Sequence, residues 1–135
     1  MSNFSCSSTY TTLCIYHEVM QPDEIARIIG LEPSYISIKN MKRIKKNGWF
    51  LSTKNEANST VLSEHLTFLL NKIETIRGNL DLLLSFGVDI RIFCFWESTS
   101  GNGGPVLDSA LLKRLSDCGI DLHFDIWFDE ESSDS

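Results

Sequence analysis

The sequence predicts an α+β fold, a two-layer sandwich in which helices pack on one face of a mixed or antiparallel sheet. Segments with the alternating apolar pattern of strands are interspersed with segments that have helical spacing. A chain of 135 residues, 42% of them hydrophobic and 22% charged, suits one domain with a single core. We therefore expect a single α/β domain over residues 9–128, between a disordered N-terminus (1–8) and an acidic disordered tail (129–135).

A strand and a short helix are predicted at the start of this domain. Residues 9–17 are rich in β-branched and aromatic side chains, and their alternation places Leu13 and Ile15 on one face. Pro22 suits the first turn of the helix that follows, and Gly30 suits its end.

Two short strands are predicted next, over residues 34–40 and 48–53, on either side of a basic segment. Asn-Gly is a favoured two-residue turn of β-hairpins. The pair Asn47-Gly48 is therefore the predicted turn signal of a hairpin formed by these two strands.

The strongest periodic signal is a run of leucines and isoleucines at spacings of three and four between Leu62 and Leu83. It predicts a long helix with Ser59 or Thr60 as its N-cap. The Arg-Gly-Asn triplet at 77–79 is a candidate break or kink, because glycine inside a helix costs about 1 kcal/mol relative to alanine.

A strand, a helix and a strand complete the domain. Residues 88–98 and 121–128 alternate cleanly, and the helix between them is predicted to be capped by Asp108 or Ser109 and ended by Gly119. The first six elements match the ferredoxin-like plan, βαββαβ, and the last two form an additional αβ unit. In the final strand the side chains expected to face the core are Leu122, Phe124, Ile126 and Phe128.

The cysteines include no closely spaced pair of the kind that binds zinc or forms a redox dithiol. They are predicted to be reduced thiols. No apolar run approaches the roughly 20 residues that span a bilayer, and the first residues lack the pattern of a signal peptide. We therefore expect a cytoplasmic protein that does not bind membranes.

The charge of the chain is unevenly distributed. A net charge of −6 disfavours nucleic-acid partners, which attract basic surfaces. The segment from Lys39 to Lys46 is nevertheless strongly basic, and its candidates for contact with an acidic partner are Lys42, Arg43, Lys45 and Lys46. The alternative is a solvated hairpin whose charges keep the sheet edge from aggregating.

The glycine-rich segment SGNGGP (100–105) joins a predicted strand to a predicted helix, as anion-binding loops do. No Gly-Lys-Ser/Thr triplet follows it, and Asp108 already supplies a carboxylate to the start of the helix. A simple connection is therefore favoured, and a small-ligand or anion site is its alternative. The candidate residues of such a site are Trp96, Glu97, Gly101, Asn102, Gly103 and Gly104.

The segment SGNGGPVLDSALLKRLSDCGIDLHFDIWF resembles the C-terminal half of the bacterial domain-of-unknown-function 4279 family. PDEIARIIGLEPS, GWFLST and SEHLTFLL are similar to other landmarks of that family, so the resemblance spans most of residues 10–128. It implies a small bacterial α/β domain whose biochemical activity is not established, and it carries over no catalytic residues. By analogy, some small families of this kind serve as immunity or accessory proteins in bacterial conflict systems.

The face of the sheet opposite the core is predicted to carry aromatic side chains in a polar surround, which is typical of recognition surfaces. Its predicted members are Arg91, Phe93, Phe95, His123, Asp125 and Trp127. The alternative is that a loop, a second layer or a homodimer covers these rings. The strand RIFCF is similar to an RNA-recognition strand but lacks the glycines of that motif.

Catalytic and metal-binding patterns are not indicated, since the sequence has no nucleophile elbow and its histidines do not stand at ligand spacing. We predict no catalytic residue, no metal and no cofactor. The leading hypothesis is a non-catalytic cytoplasmic module that binds a protein partner through the aromatic face, the basic segment or both, and is immunity-like by analogy. The alternative hypothesis is a small-ligand or anion sensor that uses the glycine-rich loop.

Overall fold

The computed structural model describes residues 6–40 and 43–128, which contain five strands and four helices. The elements are β1 (Cys6–His17), α1 (Pro22–Ile29), β2 (Tyr35–Ser37), β3 (Asn47–Ser52), α2 (Leu62–Thr75), α3 (Arg77–Ser85), β4 (Asp89–Ser98), α4 (Ser109–Cys118) and β5 (Asp121–Phe128). The predicted boundary of the disordered N-terminus (1–8) was too late in the chain, because β1 begins at Cys6. Residues 1–5 and the predicted acidic tail (129–135) lie outside the described residues.

The strands form one five-stranded sheet in the order β2-β3-β1-β4-β5. The pairs β2–β3, β3–β1 and β1–β4 are antiparallel, whereas β4 and β5 are parallel and joined through α4. The sheet is therefore mixed, and the predicted α+β class is confirmed. β1 lies at the centre because its long apolar stretch pairs with β3 on one side and with β4 on the other.

The core lies between the helices and one face of the sheet. Leu13 and Ile15 of β1 are fully buried against apolar side chains of α1 and α2, such as Ile25 and Leu66. Burying each such side chain stabilises the fold by about 1.5–3 kcal/mol. Two indoles complete this layer, since Trp49 of β3 and Trp96 of β4 are also fully buried within it.

The ends of α1 and α4 lie where the sequence signals place them. Pro22 is the first residue of α1, and Gly30 ends it in the left-handed region, at φ 79°. Asp108 caps α4 by accepting a hydrogen bond from the backbone N–H of Leu111 at 2.8 Å. Gly119 ends α4 in the same left-handed conformation, at φ 69°.

The long helix predicted from Leu62 is divided into two. Ile76, with φ −124° and ψ 24°, separates α2 from α3, so the break precedes the Arg-Gly-Asn triplet. The N-cap prediction was also displaced, because Val61 occupies that position without a side-chain hydrogen bond. Ser59 instead accepts from the backbone N–H of Val61 at 3.0 Å and donates to Glu64 at 2.6 Å.

The predicted Asn47-Gly48 turn was wrong, because these residues begin β3 and the chain turns earlier, between β2 and β3. The Asn47 side chain is buried and accepts a hydrogen bond from the backbone N–H of Lys39 at 2.8 Å. Its amide donates to the backbone carbonyls of Val19 and Met20 at 3.2 and 3.0 Å. Asn47 therefore ties the connection between β2 and β3 to the loop that precedes α1.

The predicted inward face of β5 is only partly buried. Leu122 lies beside Ile92 on the helix side of the sheet and packs against the core. α4 packs on α2 instead of over the whole of β5, with Arg114 paired to Glu74 at 2.8 Å. The other apolar residues of this face therefore remain 41–44% exposed, and they are Phe124, Ile126 and Phe128.

The described helices include none that is both long enough and apolar enough to cross a membrane.

Candidate functional site

The face of the sheet that points away from the helices, here called the open face, collects aromatic side chains from all five strands. Strand register defines it, because Tyr10 of β1 lies opposite Phe95 of β4, and Phe93 of β4 lies beside His123 of β5. On the other side of β1, Phe50 pairs with Tyr35 of β2. The aromatic side chains of the open face are Tyr10, Tyr16, Tyr35, Phe50, Phe93, Phe95, His123 and Trp127.

These rings contact one another in pairs. Tyr10 stacks on Phe95 with ring centroids 5.0 Å apart, and Tyr35 stacks on Phe50 at 4.7 Å. Tyr16 meets Phe50 edge-on at 5.5 Å. Aromatic pairs at such distances contribute about 0.5–1.5 kcal/mol beyond the apolar area they bury, so neighbouring rings hold one another in place.

Exposure increases from the middle of the open face toward its two sides. Phe50, next to the central strand, is 8% exposed, whereas Tyr35 at one edge is 54% exposed and Trp127 at the other is 58% exposed. The indole N–H of Trp127 donates to Asp125 at 2.9 Å. The open face therefore presents partly accessible rings held by fixed neighbours, a geometry that suits binding with little loss of conformational entropy.

The basic segment (39–46) borders the open face at a cavity of about 360 Å³. Two lysines from that segment and one arginine from β4 contribute to its wall, although they are distant in sequence. The full lining is Tyr16, Ser37, Ile44, Lys45, Lys46, Asp89 and Arg91. The structure thus brings together candidate residues that the sequence assigned to two separate surfaces.

Arg91 lies at the junction of these two surfaces. Its guanidinium forms an ion pair with Asp89 and lies over the Tyr16 ring, 5.3 Å from the centroid. The hydrogen bond that Arg91 donates to the Asp89 carboxylate raises the pKa of Arg91, and burial raises the pKa of Tyr16. Arg91 therefore stays positively charged beside a neutral phenol. Its Nε is buried and has no hydrogen-bond partner among the described residues.

The other end of the open face also carries a cation on an aromatic ring. Lys54 Nζ lies 5.3 Å from the centroid of Tyr10, which stacks on Phe95. Positive charge thus borders the aromatic rings at two places. Of the remaining basic candidates, Arg43 is exposed and Lys42 lies outside the described residues.

One face of the sheet was predicted to carry Arg91, Phe93, Phe95 and Trp127, and strand register puts them there. Three further members of the same face were not predicted, and they are Tyr10, Tyr35 and Phe50. The signal that would have found Tyr10 and Tyr16 is the alternation of β1, in which they lie opposite the buried Leu13 and Ile15. Tyr35 and Phe50 could not be placed without the pairing of β2 with β3.

The glycine-rich loop forms hydrogen bonds within itself and with Ser98, the last residue of β4. The Ser98 hydroxyl donates to the backbone carbonyl of Asn102 at 3.0 Å, and the Ser100 hydroxyl lies 3.1 Å from the Asn102 side chain. Gly101 and Gly103 adopt positive φ angles of 78° and 99°, as tight connections require. Gly104 is exposed nearby.

The other two candidates of this loop lie on opposite sides of β4. Trp96 is fully buried in the core, whereas Glu97 points to the open face. Asp108 occupies the N-terminus of α4, where an anion would otherwise sit. The geometry therefore does not gather the six loop candidates around one ligand position.

Histidine and cysteine side chains serve mainly in packing and backbone contacts. His17 accepts at Nδ1 from the N–H groups of Val19 and Met20, and its Nε2 lies 3.0 Å from the Phe86 carbonyl. The described cysteines are free thiols, and burial raises the pKa of Cys94 to about 12. Among residues 6–40 and 43–128, no group of three or more histidine, cysteine or acidic side chains could hold a metal ion.

The chain matches the model of a protein family over most of its length. The family described as "Domain of unknown function (DUF4279)" matches residues 7–129, which include every described strand and helix except the first residue of β1. No curated protein and no solved structure matches the chain.

Proposed function

We propose that this chain, which belongs to the DUF4279 family of domains of unknown function, is a non-catalytic module. It binds an acidic protein partner through the open face. The observation that carries this proposal is the junction at Arg91, where the basic segment and the aromatic rings border the same cavity.

The aromatic composition of the open face supports a protein partner. Aromatic side chains and arginine are enriched at the centres of protein interfaces, where they provide most of the binding energy. Here Phe93 and Phe95 are half-buried, Tyr35 is more than half exposed, and Arg91 lies among them. Rings that already contact their neighbours lose little freedom when a partner covers them.

The local charge supports an acidic partner. Lys45, Lys46 and Arg91 contribute three positive charges to the cavity wall against one negative charge from Asp89. The chain as a whole carries −6, so this region is an exception to its surroundings. Complementary charge accelerates association with an acidic partner and disfavours basic partners at this site.

The state of the nucleophilic side chains supports a non-catalytic role. A reactive cysteine needs a lowered thiol pKa, whereas burial raises the pKa of Cys14 to about 11. His65 is buried with both ring nitrogens engaged, Nδ1 with the Thr53 hydroxyl at 2.6 Å and Nε2 with the Ser59 carbonyl at 2.9 Å. Both side chains therefore contribute to the packing of the domain.

The proposal is tested by affinity capture with charge-reversal variants. The tagged chain is incubated with lysate of its source cells, with and without RNase, and retained proteins are quantified by mass spectrometry. We expect the Lys45→Glu/Lys46→Glu variant to retain about tenfold less of an acidic protein than the unmodified chain does, because repulsion replaces attraction at the cavity. The matched control is Arg27→Glu/Lys113→Glu, which changes the net charge equally on the helices.

Equal retention by the two charge-reversal variants would contradict a role for the cavity. Retention that disappears with RNase would point to a nucleic acid as the partner instead. A second variant, Tyr35→Ser, tests the aromatic part of the surface, because Tyr35 is exposed on the open face and its loss leaves the core intact. Full retention by this variant would restrict the binding surface to the basic segment.

A small-anion sensor is the second candidate function. The cavity is a better candidate for its binding site than the glycine-rich loop. Its volume of about 360 Å³ lies in the range of small-ligand pockets. A ligand that binds only the folded state raises the melting temperature as its concentration increases. Stabilisation by inorganic phosphate or a dicarboxylate that is lost in Lys45→Glu/Lys46→Glu would support this candidate, and the absence of any shift would contradict it.

We also propose that the first four strands form a ferredoxin-like unit to which α4 and β5 were added. The order β4-β1-β3-β2, antiparallel throughout, supports this assignment. A bacterial, cytoplasmic setting is proposed on the family resemblance and on the free thiols of the described residues. Cell fractionation with an antibody against the chain tests the location, and recovery outside the cytoplasm would contradict it.

A further inference from the structure

β5 forms one edge of the sheet, and its outer backbone edge pairs with no other strand among the described residues. The edge at the opposite side of the sheet is different in kind. There β2 contains only Tyr35–Ser37 and is followed by the basic segment, and both features discourage pairing with another chain. Unpaired N–H and C=O groups along a longer edge are a ready template for another strand.

The β5 edge carries two charged side chains, Asp121 and Asp125, but lacks the bulges, prolines, lysines and arginines by which many proteins protect such edges. Its register with β4 is continuous from Asp121 to Phe128, so no bulge twists the strand away. The strand contains no lysine, no arginine and no proline. Eight residues of regular strand are therefore available for pairing.

Apolar side chains are exposed on both faces of this strand. Phe124, Ile126 and Phe128 are 41–44% exposed on the helix side, and Trp127 is 58% exposed on the open face. Phe128 contacts the buried Trp96 edge-on at 6.0 Å, so the exposed group is continuous with the core. Contiguous apolar surface next to an unpaired backbone indicates a surface that is covered by another chain.

We propose that β5 pairs antiparallel with β5 of a second copy about a two-fold axis, which joins two five-stranded sheets into one. The strand is self-complementary in the register centred on Phe124. Leu122 then lies opposite Ile126 of the second copy, and His123 lies opposite its Asp125, so an imidazole meets a carboxylate. A register centred on Asp125 would instead place two carboxylates opposite each other and is disfavoured.

The expected dimer is weak and concentration-dependent. One strand pair buries less surface than the roughly 1,200–2,000 Å² of stable interfaces. The net charge of −6 on each copy adds a repulsion that salt screens. This interface uses the outer edge of β5, so it does not depend on the proposed role of the open face.

The test is the molar mass of the purified full chain by size-exclusion chromatography with light scattering, over about a hundredfold range of concentration. The mass is expected to rise from 15.3 kDa toward twice that value. Ile126→Lys is expected to remain monomeric, because a charged side chain at this edge opposes pairing. Leu112→Lys on α4, which is 49% exposed, is the matched control and should dimerise like the unmodified chain.

Three outcomes would overturn the proposal. They are a monomer at every concentration, a dimer that survives Ile126→Lys, and a dimer that is lost equally in Leu112→Lys. Tyr35→Lys distinguishes pairing through the open face, which that variant would disrupt while leaving the β5 edge intact. The melting temperature of each variant is measured alongside, and Phe124→Lys replaces Ile126→Lys if the latter does not fold.

Discussion

Gly48 shows how one missing side chain permits the aromatic contacts of the open face. A Cβ at this position would lie 2.6 Å from the ring of Phe50 and 2.6 Å from the hydroxyl of Ser37. Phe50 cannot retreat freely, because Tyr16 and Tyr35 both contact its ring. The glycine was predicted as a turn residue, but the structure uses it for close packing inside β3.

We predict that Gly48→Ala lowers the free energy of unfolding by about 1–3 kcal/mol, the usual cost of overpacking. Urea denaturation measures this change. Gly78→Ala is the control, since a Cβ there meets nothing within 4 Å and helical alanine is favoured over glycine. If both variants are equally stable, the close contact at Gly48 does not constrain the sheet.

The buried thiols predict a loss of stability at alkaline pH. Burial raises the pKa of Cys14 from 9.0 to about 11 and that of Cys94 from 9.0 to about 12. Above pH 9 the unfolded chain therefore releases thiol protons that the folded chain retains, so ionisation favours unfolding. The free energy of unfolding is expected to fall by about 1.4 kcal/mol per pH unit for each thiol in this range.

Urea denaturation at pH 8 and pH 10 checks this slope. The Cys14→Ala/Cys94→Ala variant should lose much less stability between these pH values than the unmodified chain, whatever its stability at pH 8. Tyr16 contributes in the same direction at higher pH, because burial also raises its pKa. Equal slopes for the two proteins would contradict the assignment to the thiols.

Among the helices and strands, the sequence correctly predicted those features that depend on interactions between residues close together in the chain. The caps of α1 and α4 were predicted because proline, aspartate and glycine act within a few residues of their own position. β4 and β5 were predicted because an alternating pattern defines a strand without reference to its partner. The break between α2 and α3 falls at Ile76, one residue before the Arg-Gly-Asn triplet that was predicted to interrupt the helix, because the sequence signal fixes such a boundary only to within a residue or two.

Asn47 marks the limit of such local reasoning. Asn-Gly favours a tight turn, but three hydrogen bonds to residues 19, 20 and 39 draw this side chain into the interior. The inward face of β5 was similarly overestimated, because the position of α4 depends on its contact with α2. In both cases contacts distant in sequence decided the outcome.

We predict that Asn47→Ala loosens the connection between β2 and β3 and costs about 2 kcal/mol, since it removes three part-buried hydrogen bonds to the backbone of Lys39, Val19 and Met20. Limited trypsin digestion should cleave faster within the basic segment. Asn55→Ala, at an exposed position, is the control and should behave like the unmodified chain. Unchanged cleavage of Asn47→Ala would show that other contacts hold the segment.

At the scale of the whole molecule, the candidate site is a product of sheet topology. Tyr35, Tyr10, Phe95 and His123 come from four different strands, and the order β2-β3-β1-β4-β5 brings them onto one face. The sequence indicated half of this surface, because the alternation within β4 and β5 is visible in one strand at a time. The other half depends on which strands are neighbours, and so does the meeting of Arg91 with Lys45 and Lys46.

Oxidative footprinting of the chain, alone and with its retained partner, tests binding through the open face, because it reports which side chains the partner covers. We predict that Tyr35 and Phe95 on the open face become protected in the complex. Phe86, which is 49% exposed after α3, should be labelled equally in both states. Protection of Phe86 with unchanged labelling of Tyr35 and Phe95 would place the partner on the helices and contradict the account.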